Sequence, residues 1–318
     1  MDDRGVPPES DWPPSPLLEM IRRVRPPAFP VAVIGHRGDS QNAPENTLAA
    51  FSMALDQDAD MVEFDVHESA DGDVVVIHDD KVDRTTEGHG EIHKLRTGAL
   101  RELSAGAWFA ARYADERIPL LDEVLDLCRG RAVPLIEVKV KRRRAPRIGL
   151  KIVDALLRHG MQESAVVICK ELDRVREIHD ASPTTPLSYL TLTKRQALSA
   201  ARVRGVRGVD CYWKSLSLSL IAQLRQASVF LTPWTVNRPR DMDRLLLLGC
   251  ESIITDSPVL LRDRIEGFEF ARTQDLLERF RTGNVDLDLE LEEDEEDDDV
   301  DELSAGSEID LPDEGLGP

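Results

Sequence analysis

Residues 31–66 read VAVIGHRGDSQNAPENTLAAFSMALDQDADMVEFDV, and this stretch decides the fold. The apolar run at 31–35 predicts a strand, the pattern over 47–56 predicts a helix, and 61–66 predicts a second strand. A strand followed by a helix and another apolar strand is the repeating unit of a parallel sheet.

The same alternation continues to the end of the apolar part of the chain. Further strands are predicted at 133–140, 165–169, 186–190, 206–210, 229–232 and 252–255. Helices are predicted between them at 121–129, 147–158, 174–181, 194–202, 218–226 and 240–248. Eight strand–helix alternations over about 240 residues predict the α/β class and a (β/α)8 barrel. A doubly wound open sheet is the structural alternative, but no glycine-rich dinucleotide turn follows the first strand.

Three segments lie outside this alternation. Residues 1–30 contain eight prolines and predict an N-terminal arm with at most a short helix around 17–23. Within the expected barrel domain, 31–275, an extra strand at 71–77 and a long connection predict an insertion over 68–117. Residues 283–318 are of low complexity and acidic, which predicts a disordered C-terminal tail.

The negative charge of the chain comes from this tail. The net charge is −20, and 17 of the 60 Asp and Glu residues lie in 283–318, which contains no Lys or Arg. The remainder has 43 acidic against 40 basic residues, so it is nearly balanced. No basic stripe predicts a nucleic-acid partner. The tail is expected to act as a solubilising segment, and binding of a partner is its second interpretation.

Cysteine usage and the N-terminus indicate the compartment. The four cysteines are widely spaced beside apolar runs, which is typical of buried free thiols. The N-terminus has no charged-then-apolar signal peptide, and no apolar run is long enough to span a membrane. We therefore expect a soluble, cytoplasmic protein.

Charged side chains occupy the expected carboxyl ends of the strands. The first strand ends in His36, the second contains Glu63 and Asp65, and the third contains Glu137 and Lys139. Residues two apart in a strand share a face, so each pair projects to the same side. Burying this much charge without compensation is very unfavourable. Three carboxylates around a divalent cation resolve the problem, and an all-oxygen site favours Mg²⁺ or Ca²⁺ over Zn²⁺.

Two cations and two histidines complete the predicted site. Arg37 and Lys139 can bind phosphate, because carboxylates alone would repel an anionic substrate. His36 and His78 each follow an apolar strand, and a pair of imidazoles can supply one general base and one general acid. These residue types in this pattern favour cleavage of a phosphoester.

The motifs also resemble a known family. They are His36-Arg37-Gly38, Glu45-Asn46-Thr47, Glu63-Phe64-Asp65-Val66, Asp71-Gly72, His78-Asp79, Arg84-Thr85-Thr86, Glu137-Val138-Lys139, Trp234-Thr235-Val236-Asn237 and Ile253-Ile254-Thr255-Asp256-Ser257-Pro258. In this order and spacing, from about residue 31 to 262, the chain resembles the glycerophosphodiester phosphodiesterases. A set of motifs in register is far more specific than any one of them.

The resemblance implies a TIM barrel with a small insertion after its second strand, and it assigns a role to each matching residue. These are metal ligation at Glu63, Asp65 and Glu137, acid–base catalysis at His36 and His78, phosphate contact at Arg37 and Lys139, substrate packing at Trp234, and a ligand or supporting role at Glu45. The implied reaction releases glycerol 3-phosphate and an alcohol, through attack by the substrate's own glycerol hydroxyl and a cyclic phosphate. The sequence does not fix which histidine is the acid and which the base, and His78 is the preferred candidate for the acid.

Two features of the sequence leave alternatives open. Cys169-Lys170-Glu171 replaces the small polar and aromatic residues usual after the corresponding strand, which alters the pocket wall. His67 shares the parity of Glu63 and Asp65, so an extra metal ligand is one interpretation, but it matches no motif and is expected to be a solvated loop residue. Alternative functions are a lysophospholipase D-type phosphodiesterase acting on a lipid and a non-catalytic phosphate-binding barrel.

Overall fold

The computed structural model describes residues 15–27, 31–139 and 143–267. The strands are β1 Ala32–His36, β2 Met61–Glu68, β3 Val74–Val76, β4 Val133–Val138, β5 Val166–Cys169, β6 Leu187–Thr191, β7 Val206–Tyr212, β8 Phe230–Trp234 and β9 Ser252–Thr255. The helices are α1 Pro16–Val24, α2 Leu48–Asp56, α3 Thr97–Glu102, α4 Leu121–Cys128, α5 Ile148–His159, α6 Leu172–Ala181, α7 Lys194–Ala200, α8 Leu218–Gln226, α9 Pro239–Leu247 and α10 Pro258–Gly267. The predicted tail and most of the predicted arm lie outside the described residues.

Eight parallel strands form a nearly closed barrel. Their order is β8-β7-β6-β5-β4-β2-β1-β9, and β3 pairs only with β2, in the antiparallel sense. At the closing edge, Ser252 Oγ donates to the Leu231 carbonyl at 2.5 Å, and the Val236 amide donates to the Ile254 carbonyl at 2.9 Å. The predicted (β/α)8 barrel is confirmed.

The alternation of side chains along β2 divides the barrel into two layers. Val62, Phe64 and Val66 point outward and pack in the main apolar cluster between the strands and the helices. Met61 points inward and belongs to a second cluster in the barrel interior. Glu63 and the two alternate residues after it therefore also face the interior. The lower interior is apolar, and the upper interior carries the charge.

Helix α1 closes the amino-terminal end of the barrel. Its N-cap is Ser15, whose Oγ accepts from the Leu18 amide at 3.2 Å. Leu17 and Ile21 are fully buried and pack against the interior cluster, which includes Phe230 and Ile254. This helix therefore fills the floor of the barrel below the polar layer.

The segment after β2 has a small apolar core of its own. Val75, Ile77, Ile92, Leu100 and Ile118 are buried together there. The antiparallel pairing of β3 extends β2 to Glu68 and brings the residues after β3 to the mouth of the barrel. No helix among the described residues is long and apolar enough to cross a membrane. The cysteines are buried free thiols, as predicted.

Candidate active site at the carboxyl ends of the strands

The turn after β1 has an unusual backbone that brings its motif residues onto the barrel axis. Arg37 and Asn46 have positive φ angles of 54° and 57°, and Gly38 has a φ of 90°. A Cβ atom on Gly38 would lie 2.5 Å from the Ala50 carbonyl carbon, so only glycine allows α2 to pack this closely. Positive φ in a residue such as arginine costs about 1 kcal/mol or more and often marks a functional site.

Glu63, Asp65 and Glu137 form a buried carboxylate cluster. Each offers an oxygen within 4.8 Å of the others. Burial and the neighbouring charges of Asp65 and Glu137 raise the pKa of Glu63 well above its usual range. Its Oε1 is buried and accepts no hydrogen bond from any described residue. Three converging carboxylates with an unsatisfied oxygen fit a hard divalent cation, so these residues could bind a metal.

Three cations of the described part of the chain lie against this cluster. Lys139 Nζ lies 3.2 Å from Asp65 Oδ1 and 3.0 Å from Glu137 Oε1, and Arg37 Nε lies 3.3 Å from Asp65 Oδ2. Lys170 Nζ, from the turn after β5, lies 2.9 Å from the same Glu137 oxygen. Although burial opposes it, Lys139 and Lys170 lower the pKa of Glu137 to about 2. Lys170 was not among the predicted site residues. The sequence had shown only that Cys169-Lys170-Glu171 departs from the residues usual in the family and alters the pocket wall at this strand.

His36 is oriented by a carboxylate from the far end of the chain. Its Nδ1 lies 2.6 Å from Asp256 Oδ1, and its Nε2 lies 4.0 Å from Glu63 Oε2. Ser40 Oγ and Asn237 Nδ2 also donate to Asp256, at 3.0 and 2.6 Å. Burial opposes ionisation, but His36 and these donors lower the pKa of Asp256 to about 2. An ionised Asp256 holds the proton of His36 on Nδ1 and leaves Nε2 as the acceptor.

His78 has a similar partner in a more positive environment. Its Nδ1 lies 2.7 Å from Asp79 Oδ1, and Arg84 shares that carboxylate through Nε at 2.9 Å and Nη2 at 3.0 Å. Burial, with Arg37 and Lys139 nearby, lowers the pKa of His78 despite the opposing charge of Asp65. The imidazolium form of His78 therefore loses its proton readily.

Glu45 lies beside the cluster and is held by two arginines. Arg37 Nη1 donates to its Oε1 at 3.0 Å, and Arg84 contacts both of its oxygens, at 2.7 and 2.8 Å. The next residue, Asn46, donates through Nδ2 to Asp65 Oδ2 at 2.8 Å. Within this motif, Glu45 thus orients Arg37, and Asn46 orients Asp65.

The expectation for His67 is wrong. This side chain is only 3% exposed and lies on β2, because β3 extends that strand past the expected end. Its Nε2 lies 2.9 Å from the His78 carbonyl oxygen. His67 therefore connects β2 to the backbone of His78. In the sequence, the inward position of His67 was indicated by its alternation with Glu63 and Asp65 along the strand.

An aromatic wall lies on the side of β7 and β8. The Tyr212 ring centroid lies 6.0 Å from that of Trp234 and 6.4 Å from that of Trp213. The Trp234 Nε1 is buried and donates to no described residue. Trp234 is predicted to lie at the substrate end of the barrel, and an N–H group without a protein partner there can donate to a ligand.

Paired imidazoles and clustered carboxylates at the carboxyl ends of barrel strands suit one kind of chemistry. The imidazoles can move protons to and from oxygen, and the cations can stabilise charge on a phosphoryl group. The fold and the site thus define a phosphoric diester hydrolase built on a TIM barrel.

Comparison with known proteins identifies the family. The model of the glycerophosphoryl diester phosphodiesterase family matches residues 36–260, more than half of the chain. A glycerophosphodiester phosphodiesterase of Caldanaerobacter subterraneus is 34% identical over 232 residues, covering 72% of this chain and 95% of that protein. The chain therefore belongs to the glycerophosphodiester phosphodiesterase family, and both the resemblance and the enzymatic interpretation are confirmed.

Solved structures agree with this assignment. An Oleispira antarctica phosphodiesterase in complex with the product sn-glycerol-3-phosphate superposes with a TM-score of 0.70 at 26% identity, covering 74% of this chain and 96% of that one. A glycerophosphodiester phosphodiesterase from Agrobacterium tumefaciens gives a TM-score of 0.65 at 27% identity, covering 73% and 98%. Nearly the whole of each relative corresponds to the barrel of this chain.

Proposed function

We propose that this enzyme hydrolyses glycerophosphodiesters to glycerol 3-phosphate and an alcohol, with His36 and His78 as its acid–base pair. The observation that carries the proposal is the position of His36, with Nδ1 on Asp256 at 2.6 Å and Nε2 directed towards Glu63 at 4.0 Å. An imidazole held in this way has one nitrogen available for proton transfer beside the carboxylate cluster.

A divalent cation, Mg²⁺ or Ca²⁺, would be held by Glu63, Asp65 and Glu137. The unsatisfied Glu63 oxygen and the mutual repulsion of the three carboxylates support this assignment. When bound, the ion supplies positive charge that polarises a phosphoryl oxygen and lowers the pKa of a nearby hydroxyl. Arg37 and Lys139 bind the remaining phosphoryl oxygens and stabilise the charge that develops on them.

We assign His36 as the general base and His78 as the general acid. Among the described residues, the donors to Asp256 besides His36 are neutral, so its negative charge is directed at the ring that takes the proton. The partner of His78 is shared with Arg84, and burial together with Arg37 and Lys139 lowers the pKa of His78. His78 is therefore the better proton donor.

The proton transfers follow from this division. His36 removes the proton from the attacking glycerol hydroxyl, and His78 gives a proton to the departing alcohol oxygen. The bond between phosphorus and the alcohol oxygen breaks as a bond forms between phosphorus and the glycerol oxygen, which closes the cyclic phosphate. The two histidines then exchange roles while water opens the cyclic phosphate.

Trp234 and Glu45 position the reactants. The buried Trp234 N–H can donate to a substrate hydroxyl, and the indole ring shields the glycerol from bulk water. Glu45 fixes the guanidinium of Arg37 through the 3.0 Å hydrogen bond, so Arg37 is oriented before the phosphate arrives.

An assay of the purified protein tests this function. Glycerophosphocholine and related diesters should release glycerol 3-phosphate, EDTA should abolish the release, and Mg²⁺ or Ca²⁺ should restore it. His36→Ala and His78→Ala should each lose turnover by at least about 100-fold without loss of folding. His89→Ala is the matched control, since His89 is 84% exposed in the region after β3. Full activity of both active-site variants, or activity in excess chelator, would contradict the proposal.

A lipid substrate is the second candidate, and one observation favours it. The Trp108 side chain is 42% exposed and packs edge-on against Phe109 at 5.7 Å, on the segment that follows β3. An exposed indole can contact an acyl chain. Lysophospholipids should therefore be included in the panel, with Trp108→Ser as the discriminating variant.

A further inference from the structure

Basic residues are concentrated in one part of the barrel. Residues 182–250 contain ten Lys and Arg but only three Asp and Glu. The whole chain, in contrast, has 40 basic and 60 acidic residues. This part includes β6, β7 and β8 together with the helices that follow them.

Six of these cations lie at the start of α7, in the turn after β7, or at the N-cap and within α9. We call this set the basic rim, which consists of Lys194, Arg195, Lys214, Arg238, Arg240 and Arg244. Since all the barrel strands are parallel, the turn after β7 and the starts of α7 and α9 lie on the same face as the active site. Five of the six side chains are exposed, and Arg244 is half-buried.

Four members of the rim lie near one another, around Asp241 and Trp213. Lys214 Nζ lies 5.5 Å from the Trp213 ring centroid, and Arg244 Cζ lies 6.0 Å from it. Burial raises the pKa of Asp241 even though Arg238, Arg240, Arg244 and Lys214 all act in the opposite direction. Four cations therefore surround one carboxylate.

The rim is connected to the catalytic centre by aromatic rings. Trp213 lies against Tyr212, and Tyr212 lies against Trp234 at the mouth of the barrel. A polyanion on the rim would therefore be separated from the proposed phosphodiester site only by the rings of Trp213, Tyr212 and Trp234.

The chain contains a polyanion of its own. Residues 283–318 hold 17 carboxylates and no basic residue, and fifteen residues separate them from Gly267, where α10 ends. Fifteen residues reach at most about 50 Å, which exceeds the barrel height of about 20 Å. Tethering also gives such a segment an effective concentration of about a millimolar. A tethered anion of this size would compete with free anions for the rim.

We propose that the acidic segment 283–318 docks on the basic rim and thereby competes with anionic substrate at the mouth of the barrel. The docking depends only on the rim and the segment, whereas the competition rests on the proposed function. Because the contact is between exposed charges, it weakens steeply with ionic strength.

Zero-length carbodiimide cross-linking of the full chain tests the docking directly. This reagent joins a carboxylate to a lysine amine, so carboxylates of 283–318 should link to Lys194 and Lys214 within one molecule. Lys81 and Lys94, on the opposite side of the barrel mouth, should link at least about threefold less. Added salt at about 0.5 M should remove the preference.

A matched pair of variants identifies the surface. Arg238→Gln/Arg240→Gln removes two exposed rim charges and should reduce the cross-links several-fold. Arg202→Gln/Arg204→Gln removes two exposed charges that follow α7, at the opposite end of the barrel, and should leave them unchanged. Even labelling of all lysines would overturn the proposal, as would loss of cross-links in the second variant instead of the first.

Kinetics test the competition. Deletion of 283–318 should lower KM about three- to tenfold at about 0.02 M salt and have little effect at about 0.5 M. The barrel should fold without this segment, since the Caldanaerobacter relative matches the barrel over 95% of its length. An unchanged KM at low salt would overturn the competition. Cross-linking requires no turnover, so a failure of the proposed function would be recognised separately by the absence of glycerophosphodiester hydrolysis.

Discussion

Replacing Asp256 with asparagine tests whether His36 depends on the tautomer that this carboxylate imposes. Three donors converge on Asp256, from His36, Ser40 and Asn237. The amide of Asn237 is fixed, because its Oδ1 accepts from the Asp256 amide at 2.9 Å and from Thr255 Oγ1 at 3.2 Å. An asparagine at position 256 therefore keeps its oxygen towards Asn237 and turns its NH2 group towards His36.

This geometry sets the size of the effect. His36 Nδ1 would have to accept a hydrogen bond, so its proton would move to Nε2 and the base would be lost. Loss of the base and inversion of the tautomer lower kcat by about 10³ to 10⁴, or about 4 to 5.5 kcal/mol. Asp256→Ala leaves space for a water that can accept from Nδ1, so it should lose only about 10- to 100-fold.

The assay is steady-state release of glycerol 3-phosphate, with thermal unfolding and metal titration to verify folding and ion binding. Asp154→Asn, on the exposed face of α5, controls for loss of a carboxylate. In a His36→Ala background, Asp256→Asn should cause no further loss, because the two residues act as a unit. The reasoning is refuted if Asp256→Asn is as active as Asp256→Ala, or if it lowers activity further in that background.

Three further predictions concern charge and packing in the barrel. Burial raises the pKa of Asp210 to about 7, so the free energy of unfolding of the wild type should fall by up to about 4 kcal/mol as pH rises from about 4 to 7. In denaturant titrations, Asp210→Asn should lack this decrease, and the same pH dependence in both proteins would contradict the prediction. Lys170→Met removes a cation 2.9 Å from Glu137 that would compete with a metal ion for this carboxylate, so the metal concentration for half-activation should fall several-fold. An unchanged concentration would exclude this competition. Ile21→Ala should destabilise the fold by about 2 to 5 kcal/mol, measured by urea unfolding, whereas no change would mean that α1 does not stabilise the floor.

The polar face of β2 could be predicted because a strand has a fixed period. Glu63, Asp65 and His67 alternate with apolar residues, and the structure places all three in the interior. The error concerned His67, because the length of β2 depends on pairing with β3 and not on the residues of β2 alone. Strand ends are set by partners that a local pattern does not contain.

The partners of the histidines were harder to predict. Asp79 is adjacent to His78, and an orienting role could be expected from sequence. Asp256 is 220 residues away from His36 in sequence, and the pairing of β9 with β1 brings them together. Lys170 contacts Glu137 because β5 lies beside β4. Contacts of this kind require the three-dimensional order of the strands.

The floor helix has a consequence for the order of folding. Leu17 and Ile21 of α1 are among the first described residues to leave the ribosome, yet their packing surface includes Phe230 of β8 and Ile254 of β9. Those strands are synthesised more than 200 residues later. The contacts of α1 with the floor can therefore be completed only after β8 and β9 have been synthesised. The floor of this barrel thus contains the first described helix of the chain, yet its packing is completed by the last strands.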